Sequence, residues 1–462
     1  MIMANRIYLC LAHMSEAGLE QKYIKEAFDT NWVVPLGPNV NGFEADLEAF
    51  VSRIDGSTET GNHGLSKRVV ALSSGTAAVH LALIACGVKA GDEVCVQSFT
   101  FCASSHPITY LGATPIFIDS EKDTWNMDPD LLEEAIKDRI AKTGKKPKAI
   151  VPVALYGMPY KIDRIMEIAN RYDIPVIEDA AEGFGSKFNG QVLGTFGKYG
   201  VLSFNGNKMI TTSGGGALIT ENEDEWREIM MYATQYRESY PYYQHEKIGF
   251  NYRMSNICAG IGRGQMTIVD AHIEHHKHVQ KLYEELLANV PGVHVHSQPV
   301  QGSGLMVNGK EVPVYESNYW LCTITMDPEV KIKGQENAYK TVVKGAVGGA
   351  AGVIHMADSA TTDCQPNDNV EALRVYMDAA GIEARPVWKP MHKQPVYRRG
   401  NVKIEKCNNV NALCQTSETS VAYVNGVSEE IFNIGMCLPA GPYVTDEDVK
   451  YIVETIKSSI IK

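Results

Sequence analysis

The chain has 462 residues, a formal net charge of −12 and a sequence pI of about 5.6. A chain of this length exceeds what one hydrophobic core usually supports, so we expect two domains. The acidic balance argues against non-specific binding to nucleic acid, which requires a broad basic face.

Membrane insertion and metal binding are also poorly supported by the sequence. No stretch approaches the roughly 18 apolar residues of a membrane span, and the apolar run at 7–12 is too short for the core of a signal peptide. None of the 10 cysteines lies in a C-x-x-C pair, which argues against a zinc site. We therefore expect a cytoplasmic protein with reduced cysteines and no metal site.

From about residue 68 to residue 220, strand patterns and helix patterns alternate along the chain. The predicted strands are 68–73, 93–97, 114–119, 148–155 and 174–177. The predicted helices between and beside them include 75–86, 129–140 and 162–172. Such alternation predicts a mostly parallel sheet with helices on both faces. Ligands of these sheets bind at the carboxyl ends of the strands, so the residues that follow each strand are the candidates for a site.

The residues after the first predicted strand suit an anion. Ser74, Gly75, Thr76 and Ala77 follow this strand and open a helix. Free backbone N–H groups and the helix dipole favour a phosphate near Thr76 and Ala77. A plain helix cap by Ser74 or Thr76 explains this stretch equally well when it is considered alone.

Two later strand ends offer an aromatic ring and a carboxylate. Phe101 follows the strand at 93–97 and is placed to lie flat against an aromatic ligand, although a single phenylalanine there is more often a core residue. Asp179 follows the strand at 174–177, where its carboxylate would face a ring nitrogen. The spacing from Asp179 to Glu182 also fits a capping box, so a helix start is the alternative.

A polar turn with one lysine at its tip lies in the stretch 201–216. Lys208 follows an apolar run, Ser203 offers a hydroxyl five residues earlier, and three glycines at 214–216 permit a sharp turn or a close ligand. An amine must be neutral to attack a carbonyl, and apolar neighbours favour that state. Taken alone, an ordinary surface turn is the commoner explanation.

Together these strand ends supply a phosphate cradle, an aromatic face, a carboxylate and an amine. This is the set of groups that holds pyridoxal 5′-phosphate. Thr76 and Ala77 would bind its phosphate, and Phe101 would cover its ring. Asp179 would face the ring nitrogen, and Lys208 would capture the aldehyde.

The same residues lie within motifs that resemble the DegT/DnrJ/EryC1/StrS family of sugar aminotransferases. The matching stretches run almost from end to end: Gly37-x-x-Val40-x-x-Phe43-Glu44, Ser74-Gly-Thr-Ala-Ala78, Ser98-Phe-Thr-Phe101, Glu178-Asp-Ala-Ala-Glu182, Ser203-Phe-x-x-x-Lys208, Thr212-x-Gly-Gly-Gly216, Gly249-Phe-Asn251-Tyr-Arg253-Met-Ser-Asn256, Arg385-Pro-x-Trp388-x-x-x-His392 and Cys437-Leu-Pro-Ala-Gly441. The sequence around Lys208 and 235–238 resembles the branch of UDP-4-keto-sugar (UDP-bacillosamine-type) 4-aminotransferases.

The resemblance implies an α/β protein with the aspartate aminotransferase fold (fold type I). It implies that Lys208 holds the cofactor and then acts as general acid and base, while Asp179 pairs with the pyridine nitrogen. Glu182 would lie near the ring hydroxyl, where many members carry Gln or His. The cofactor implied is pyridoxal 5′-phosphate.

The resemblance also assigns the remaining cofactor contacts and a dimer. Thr76, Ala77 and Ser203 would hold the phosphate, and Phe101 would stack on the ring. Asn251 would reach the same phosphate from the neighbouring subunit. The active unit is therefore expected to be a homodimer with shared active sites.

A basic cluster in this acidic chain is the candidate for binding the substrate. Arg385, Lys389, His392 and Lys393 surround Trp388. The diphosphate of a nucleotide requires local positive charge, so Arg385 and His392 are predicted to contact the substrate. The alternative is a solvated loop with ordinary charges.

The predicted reaction moves an amino group from an amino acid, with glutamate as the expected donor, to a keto group of a nucleotide-linked sugar. UDP and C4 of a 4-keto-6-deoxyhexose are preferred from the resemblance alone. A sugar dehydratase of this fold is disfavoured because such members carry histidine in place of Lys208. A cofactor-binding regulatory protein without turnover stays open, as does an amino-acid aminotransferase in which Arg385 would bind the substrate α-carboxylate.

We expect a large cofactor-binding domain at 1–286, with a mostly parallel sheet flanked by helices. A smaller C-terminal α/β domain is expected at 287–462. Residues 55–66, 325–370 and 398–425 are longer than the family pattern, and we expect these insertions to be solvated loops.

Overall fold

The computed structural model describes residues 6–53, 67–300, 305–307, 310–339, 364–407 and 410–461. The predicted insertion at 55–66 lies outside the described residues, and so does the part of the second insertion at 340–363, with its run of small residues at 348–352. Within the described ranges, no helix is long and apolar enough to cross a membrane.

The helices carry the numbers α1 to α12 in chain order. They are α1 Leu19–Asp29, α2 Pro38–Val51, α3 Gly75–Ala85, α4 His106–Tyr110, α5 Pro129–Thr143, α6 Ile162–Tyr172, α7 Glu223–Ala233, α8 Asn256–Met266, α9 Val269–Leu287, α10 Asp368–Ala379, α11 Val427–Ile434 and α12 Asp446–Ser459. Side chains cap several of these helices. Ser74 accepts from the N–H of Ala77 at the start of α3, and Thr445 and Asp448 form a capping box at α12.

The strands are numbered in the same way. They are β1 Arg68–Leu72, β2 Glu93–Gln97, β3 Thr114–Ile118, β4 Ala149–Val151, β5 Ile177–Asp179, β6 Lys187–Phe188, β7 Gln191–Val192, β8 Tyr199–Ser203, β9 Gly216–Thr220, β10 Val293–Val295, β11 Leu305–Val307, β12 Lys310–Val312, β13 Tyr315–Glu316, β14 Cys322–Met326, β15 Arg385–Pro386, β16 Lys403–Lys406, β17 Leu413–Thr416, β18 Val421–Val424 and β19 Gly435–Leu438.

A central sheet in the order β18-β3-β2-β4-β5-β8-β9-β1 carries the site. Two parallel bridges, Ile150 to Val176 and Val153 to Asp179, join its halves between β4 and β5. The strands run parallel except β9, which is antiparallel to both β8 and β1. The predicted mostly parallel sheet is confirmed, and the fold is the α/β fold expected above.

The apolar runs of the strands explain why the sheet is covered on both faces. In β1, Val69 and Ala71 pack into one hydrophobic core, while Val70 and Leu72 pack into the other. Successive side chains of a strand point to opposite faces, so a strand buried on both sides needs a continuous apolar run. The carboxyl ends of the parallel strands then meet at one edge.

One predicted strand boundary was wrong at the site itself. The strand predicted at 174–177 is observed at Ile177–Asp179, so Asp179 is the last residue of β5 and does not follow it. The helix start considered at Asp179 does not form. Instead, Asp179 Oδ1 accepts a hydrogen bond of 3.1 Å from the backbone N–H of Ala181, which satisfies the turn locally. The strand predicted at 148–155 is also shorter, at Ala149–Val151.

Two of the motif stretches brace the entry to the central sheet. Glu44 of α2 accepts hydrogen bonds from the Ala71 N–H at 2.8 Å and from Arg253 Nη1 at 2.5 Å. Asn256 Oδ1 accepts from the N–H of Asn39 at 2.9 Å. These contacts tie α2, β1 and the start of α8 together, so residues in these motifs have a structural role.

A second, antiparallel sheet in the order β10-β14-β19-β15 lies later in the chain. Helices α9, α10 and α12 contribute to a third hydrophobic core beside it, which includes Tyr283, Leu373 and Ile452. The division of the chain at residue 287 stays a prediction, and the residues that follow it contribute to both sheets.

The insertion at 398–425 is not the solvated loop that we expected. Strands β16, β17 and β18 form an antiparallel ladder, and β18 pairs in parallel with β3. The four residues of β18 are apolar and buried, which gives this late segment a reason to join the sheet. The outer strand β16 is exposed and carries Lys403 and Lys406, charges that discourage pairing with another chain.

Candidate active site

Lys208 lies in the turn between β8 and β9, at the edge where the parallel strands end. Its Nζ atom is 3.4 Å from Glu182 Oε1 and 4.1 Å from the centre of the Trp320 ring. The lysine side chain is only 13% exposed. The structure thus brings together two residues that the sequence predicted, Lys208 and Glu182, and one that it did not.

Asp179 presents a buried carboxylate at the same edge. Ser104 Oγ donates a hydrogen bond of 2.6 Å to Asp179 Oδ2, and the Ala181 N–H donates to Oδ1. Burial raises the pKa of the Asp179 carboxyl, while these two donors and the charge of Lys208 act in the opposite direction. A carboxylate held by neutral donors suits a cationic partner.

Glu182 is a second buried carboxyl beside the amine. Its Oε2 atom accepts a hydrogen bond of 2.8 Å from the backbone N–H of Tyr156. Tyr156 has a φ of 54°, a left-handed conformation that costs energy in a residue other than glycine. Burial raises the pKa of Glu182, and Lys208 is the strongest influence that lowers it.

The residues that the sequence predicts to bind a phosphate lie at the start of α3 and the end of β8. The first N–H groups of an α-helix have no partner within the helix, and Ser74 Oγ satisfies that of Ala77 at 3.0 Å. The helix cap by Ser74 is therefore observed at the start of α3, and the phosphate site beside it stays a prediction. A Cβ atom at Gly75 would lie 3.4 Å from Ser203 Oγ, which places that hydroxyl beside the helix start.

Gly216, the last of the three glycines, keeps this cradle closed. A Cβ atom at Gly216 would overlap the backbone of Ser74 and Gly75. Only glycine lets the start of β9 approach the turn before α3 so closely.

Phe101 is half-exposed and directly precedes the turn that carries Ser104. Its side chain is 51% exposed, and its ring centre lies 5.6 Å from that of Trp388. The ring of Trp388 in turn stacks with that of Tyr156 at 6.0 Å. Ser104, the donor to Asp179, belongs to the turn that directly follows Phe101, so one loop carries both the ring and the donor.

The two predicted substrate residues have different surroundings. Arg385 lies on β15 with a side chain 41% exposed and pairs with Glu383 at 2.8 Å. His392 is buried, with Nδ1 2.6 Å from Ser98 Oγ and Nε2 3.1 Å from Glu429 Oε1. Both ring nitrogens are engaged, so a direct contact between His392 and a substrate would require this segment to rearrange.

Asn251 is exposed in this chain. It forms a bridge with Thr234, and the carbonyl of the next residue, Tyr252, accepts a hydrogen bond of 2.8 Å from the Ser73 N–H. The segment around Asn251 therefore runs past the end of β1, just before the phosphate cradle.

Sequence reasoning missed several residues that shape the site. They are Ser104, Tyr156, Asn318 and Trp320. The available signal for Asn318 and Trp320 was a short polar stretch that ends in a tryptophan directly before β14. A large aromatic side chain at that position indicates that the stretch is packed against the protein. Ser104 and Tyr156 carry no comparable signal.

The residues of the site fit pyridoxal 5′-phosphate. Asp179 is a buried carboxylate suited to a protonated ring nitrogen, and Lys208 is an amine largely removed from water. Thr76 and Ser203 line a helix N-terminus suited to a phosphate. No cluster of three or more histidine, cysteine or acidic side chains among the residues described here could hold a metal ion.

The fold and the site define a pyridoxal-phosphate-dependent aminotransferase of fold type I. Comparison with known proteins agrees with this class. The model of the DegT/DnrJ/EryC1/StrS aminotransferase family matches residues 15–336, and the chain belongs to this family. It is therefore a pyridoxal-phosphate-dependent sugar aminotransferase.

Individual relatives resemble the chain along nearly its whole length. A protein of Bacillus subtilis (strain 168), EpsN, whose name assigns it to the pyridoxal phosphate-dependent aminotransferases, is 38% identical over 454 residues, 98% of this chain and 96% of its own. GDP-perosamine synthase of Escherichia coli O157:H7 is 30% identical over 449 residues, 97% of this chain and 98% of its own. The crystal structure of a family aminotransferase from Brucella abortus superposes with a TM-score of 0.72 at 23% identity, covering 96% of this chain and 95% of its own.

Proposed function

We propose that this protein transfers the amino group of glutamate to C4 of a UDP-linked 4-keto-6-deoxyhexose. The observation that carries the proposal is the buried Lys208 amine beside the Glu182 and Asp179 carboxyls at the strand ends. The name of the E. coli relative supports a nucleotide-linked sugar, although it specifies GDP. The preference for UDP and for C4 comes from the sequence around Lys208.

Each protein group has a distinct task in this proposal. When bound, pyridoxal phosphate supplies a ring that stores the electron pair of the carbon–hydrogen bond broken in each half of the transfer. Asp179, which hydrogen bonds from Ser104 and Ala181 favour in its ionised form, holds the proton on the ring nitrogen. Lys208 Nζ removes a proton from one carbon and delivers it to another.

The remaining predicted contacts hold the cofactor in place. Thr76, Ala77 and Ser203 bind the phosphate at the helix N-terminus, and Phe101 covers the ring. Glu182 lies close to the ring hydroxyl. All of these side chains belong to segments that the central sheet positions, which keeps the cofactor fixed while the substrate changes between the two half-reactions.

We propose that the active unit is a homodimer in which Asn251 completes the neighbour's phosphate site. Asn251 is exposed, and so are Trp32, Val33 and Leu36 in the loop before α2. Exposed apolar side chains grouped in one segment are typical of a protein interface.

A mixing experiment tests the shared site. Lys208→Ala and Asn251→Ala homodimers should each be nearly inactive, while randomly mixed subunits should recover about a quarter of the activity, because half of the dimers then hold one intact site. No recovery after verified subunit exchange would place Asn251 in its own subunit's site.

The nucleotide end of the substrate is assigned to the segment from Arg385 to His392. Arg385 is accessible and would meet the diphosphate, whereas His392 anchors the segment on Ser98. Arg385→Lys should therefore raise KM for the sugar nucleotide more than it lowers kcat. An effect on glutamate alone would instead favour a role in binding the amino-acid carboxylate.

The first test is an absorption spectrum of the purified protein with pyridoxal phosphate, before and after addition of glutamate. A visible band that is lost on addition of glutamate, and that is absent from Lys208→Ala, supports the cofactor, the lysine and the donor together. A Lys208-dependent band that ignores glutamate would reject this donor. A Lys208→Ala protein with the same band as the unmodified chain would reject the site.

The acceptor is tested with 15N-labelled glutamate and a set of 4-keto sugars linked to UDP, GDP or dTDP. The proposal expects the label at C4 of the UDP sugar, with kcat/KM at least about tenfold above that of the other nucleotides, a difference within the reach of a few polar contacts. A preference for the GDP sugar would overturn the choice of nucleotide and leave the chemistry intact.

A further inference from the structure

Trp320 is the largest neutral side chain in contact with the Lys208 amine. It is 1% exposed, and Lys208 Nζ lies 4.1 Å from the centre of its ring. A cation within about 6 Å of an indole face is attracted by the negative charge density of the ring, most strongly where water is excluded. The neutral amine gains little from this contact, so the ring distinguishes the two protonation states of Lys208.

Hydrogen bonds join Trp320 to the turn that carries Lys208 and, through Asn318, to the segment that carries Glu182. The indole Nε1–H donates to the carbonyl of Asn207, the residue before Lys208, at 2.6 Å. The backbone N–H of Trp320 donates to Asn318 Oδ1 at 2.8 Å, and the Asn318 amide donates to the carbonyls of Glu182 and Phe184, each at 2.9 Å. Trp320 and Asn318 together therefore connect the turn that carries Lys208 to the segment that carries Glu182.

Three titratable groups also interact with the Lys208 amine, and each of them, unlike the indole ring, can gain or lose a proton. Glu182 lies 3.4 Å away, and the charge of Lys208 also acts on Asp179 and on Cys10. Burial raises the pKa of Cys10 to about 12, so its thiol stays neutral. The two carboxyls attract the ammonium group and are also able to take up its proton. The indole ring attracts the ammonium group and takes up no proton.

We propose that Trp320 is a positioning residue that holds the protonated form of Lys208 on its ring face whenever the lysine is not joined to the cofactor. The lysine then keeps the proton that it has collected until the second carbon is in place. The indole N–H fixes the turn that carries the lysine. This proposal rests on the assignment of Lys208 as the cofactor lysine.

The test measures how readily Lys208 reacts as the pH is varied, in cofactor-free protein. Trinitrobenzenesulfonate reacts with neutral amines, and mass spectrometry of the Lys208 peptide gives the extent of reaction at each pH. Pyridoxal phosphate supplies a second reagent through its visible band. In Trp320→Leu the midpoint of both curves should move to lower pH by about half to one unit, since loss of the ring face disfavours the cation. Trp320→Phe, which keeps a ring, should move it by less.

The chain offers a matched control in Trp226. Its indole N–H also donates to a backbone carbonyl, that of Val69, and Arg68 lies over its ring at 4.5 Å. Trp226→Leu should leave the Lys208 midpoint unchanged. A midpoint that stays fixed in Trp320→Leu, with only a slower or less complete reaction, would mean that Trp320 acts through packing alone and would overturn the proposal.

Fluorinated tryptophan tests the same point without removing the side chain, in case Trp320→Leu does not fold. Fluorine atoms withdraw charge from the ring face and leave the size and the N–H group in place. Incorporation at all 5 tryptophans should lower the midpoint, and incorporation into Trp320→Phe should not lower it further. Equal midpoints with and without fluorine would contradict the proposal. Failure of the Lys208 assignment is distinct, since the band would then persist in Lys208→Ala.

Discussion

The two walls of the active site differ in what their residues do. One wall comes from the strand ends of the central sheet and carries the charged groups, Asp179, Glu182 and Lys208. The other comes from the segment before β14 and carries neutral groups, Asn318 and Trp320, which donate to backbone carbonyls. In the proposed mechanism, the first wall supplies the chemistry, and the second holds the reacting groups in position. The predictions below treat the two walls separately.

The largest effect is expected from Asp179→Asn on the charged wall. An amide carries no negative charge to hold a proton on the ring nitrogen, so kcat should fall by about 100-fold or more. The visible cofactor band should persist, because Lys208 is unchanged. Stopped-flow absorbance with glutamate measures the first half-reaction directly.

Glu178→Gln is the matched control on the same strand. Glu178 points to the opposite side, where it accepts hydrogen bonds from the N–H groups of Gly194, Phe196 and Gly197. Its loss should reduce stability and leave kcat per folded molecule within about twofold, since it is remote from the reacting atoms. Normal turnover in Asp179→Asn would mean that another residue faces the ring nitrogen.

Asn318→Ala should have the largest effect on the neutral wall. It leaves the buried carbonyls of Glu182 and Phe184 and the N–H of Trp320 without their partner, so the free energy of unfolding should fall by about 2–3 kcal/mol. Urea unfolding of the cofactor-free protein gives this value. Capture of pyridoxal phosphate should also slow, because Trp320, which positions the lysine turn, loses its hydrogen bond to Asn318.

Asn369→Ala is the control that distinguishes a general loss of stability from slower cofactor capture. The Asn369 amide likewise donates to two carbonyls, those of Asp327 and Val330, which are partly buried, but it lies beside the third core. Asn369→Ala should also lower the free energy of unfolding, by less than Asn318→Ala because water reaches its partners, and should leave cofactor capture unchanged. Equal slowing of capture in both variants would show that Asn318 acts through general stability.

Ser104→Ala should produce a smaller effect with a defined pH signature. The Ser104 hydroxyl lowers the pKa of Asp179, so its removal raises that pKa. Asp179 is then protonated at higher pH, so the acidic limb of the kcat profile should also move to higher pH. The expected shift is about half to one pH unit, which corresponds to the free energy of one such hydrogen bond. Ser105→Ala, one residue along, is the control. A lower kcat with an unmoved acidic limb would count against this link.

The smallest effect concerns the support of the neutral wall by α9. His276 Nδ1 contacts the Tyr319 carbonyl, and burial lowers the pKa of His276 to about 3, with His275 and His272 adding to the shift. Because the folded pKa lies below the unfolded value, the neutral ring stabilises the fold above about pH 6.5, and this is lost as the pH falls towards 3.

His276→Gln should therefore reduce the dependence of stability on pH. The unmodified protein should lose about 1 kcal/mol more than the variant between pH 7.5 and 5.5. His278→Gln, on the exposed face of the same helix, is the comparison. If the free energy of unfolding depends on pH identically in the unmodified protein and in His276→Gln, then His276 does not contribute to that dependence.

The charged wall was predictable because its residue types are tied to chemistry. Lysine, aspartate and glutamate at strand ends are few, and the alternation of strands and helices places those ends along one edge. The position of Asp179 within β5 was missed because polar residues in a short buried strand resemble a loop. Their charges are satisfied by backbone N–H groups that only the fold supplies.

The neutral wall was not predictable in the same way. Trp320 and Asn318 act through backbone atoms that are more than 100 residues away in the chain, and backbone atoms leave no mark on a sequence. His392, which stays a predicted substrate contact, shows a different limit of the sequence. The basic cluster indicated a diphosphate contact, and nothing in the sequence indicated that the His392 ring is buried between Ser98 and Glu429. Strand β18 was missed because its partner, β3, lies about 300 residues earlier.

The place of β18 in the central sheet has a consequence for synthesis. The ribosome completes β3 at residue 118, but the strand that covers its outer edge ends only at residue 424. A nascent chain that has already built the rest of the sheet therefore presents an unpaired strand for most of its translation. Unpaired edges recruit other chains, so premature termination before residue 421 would release a product prone to aggregate.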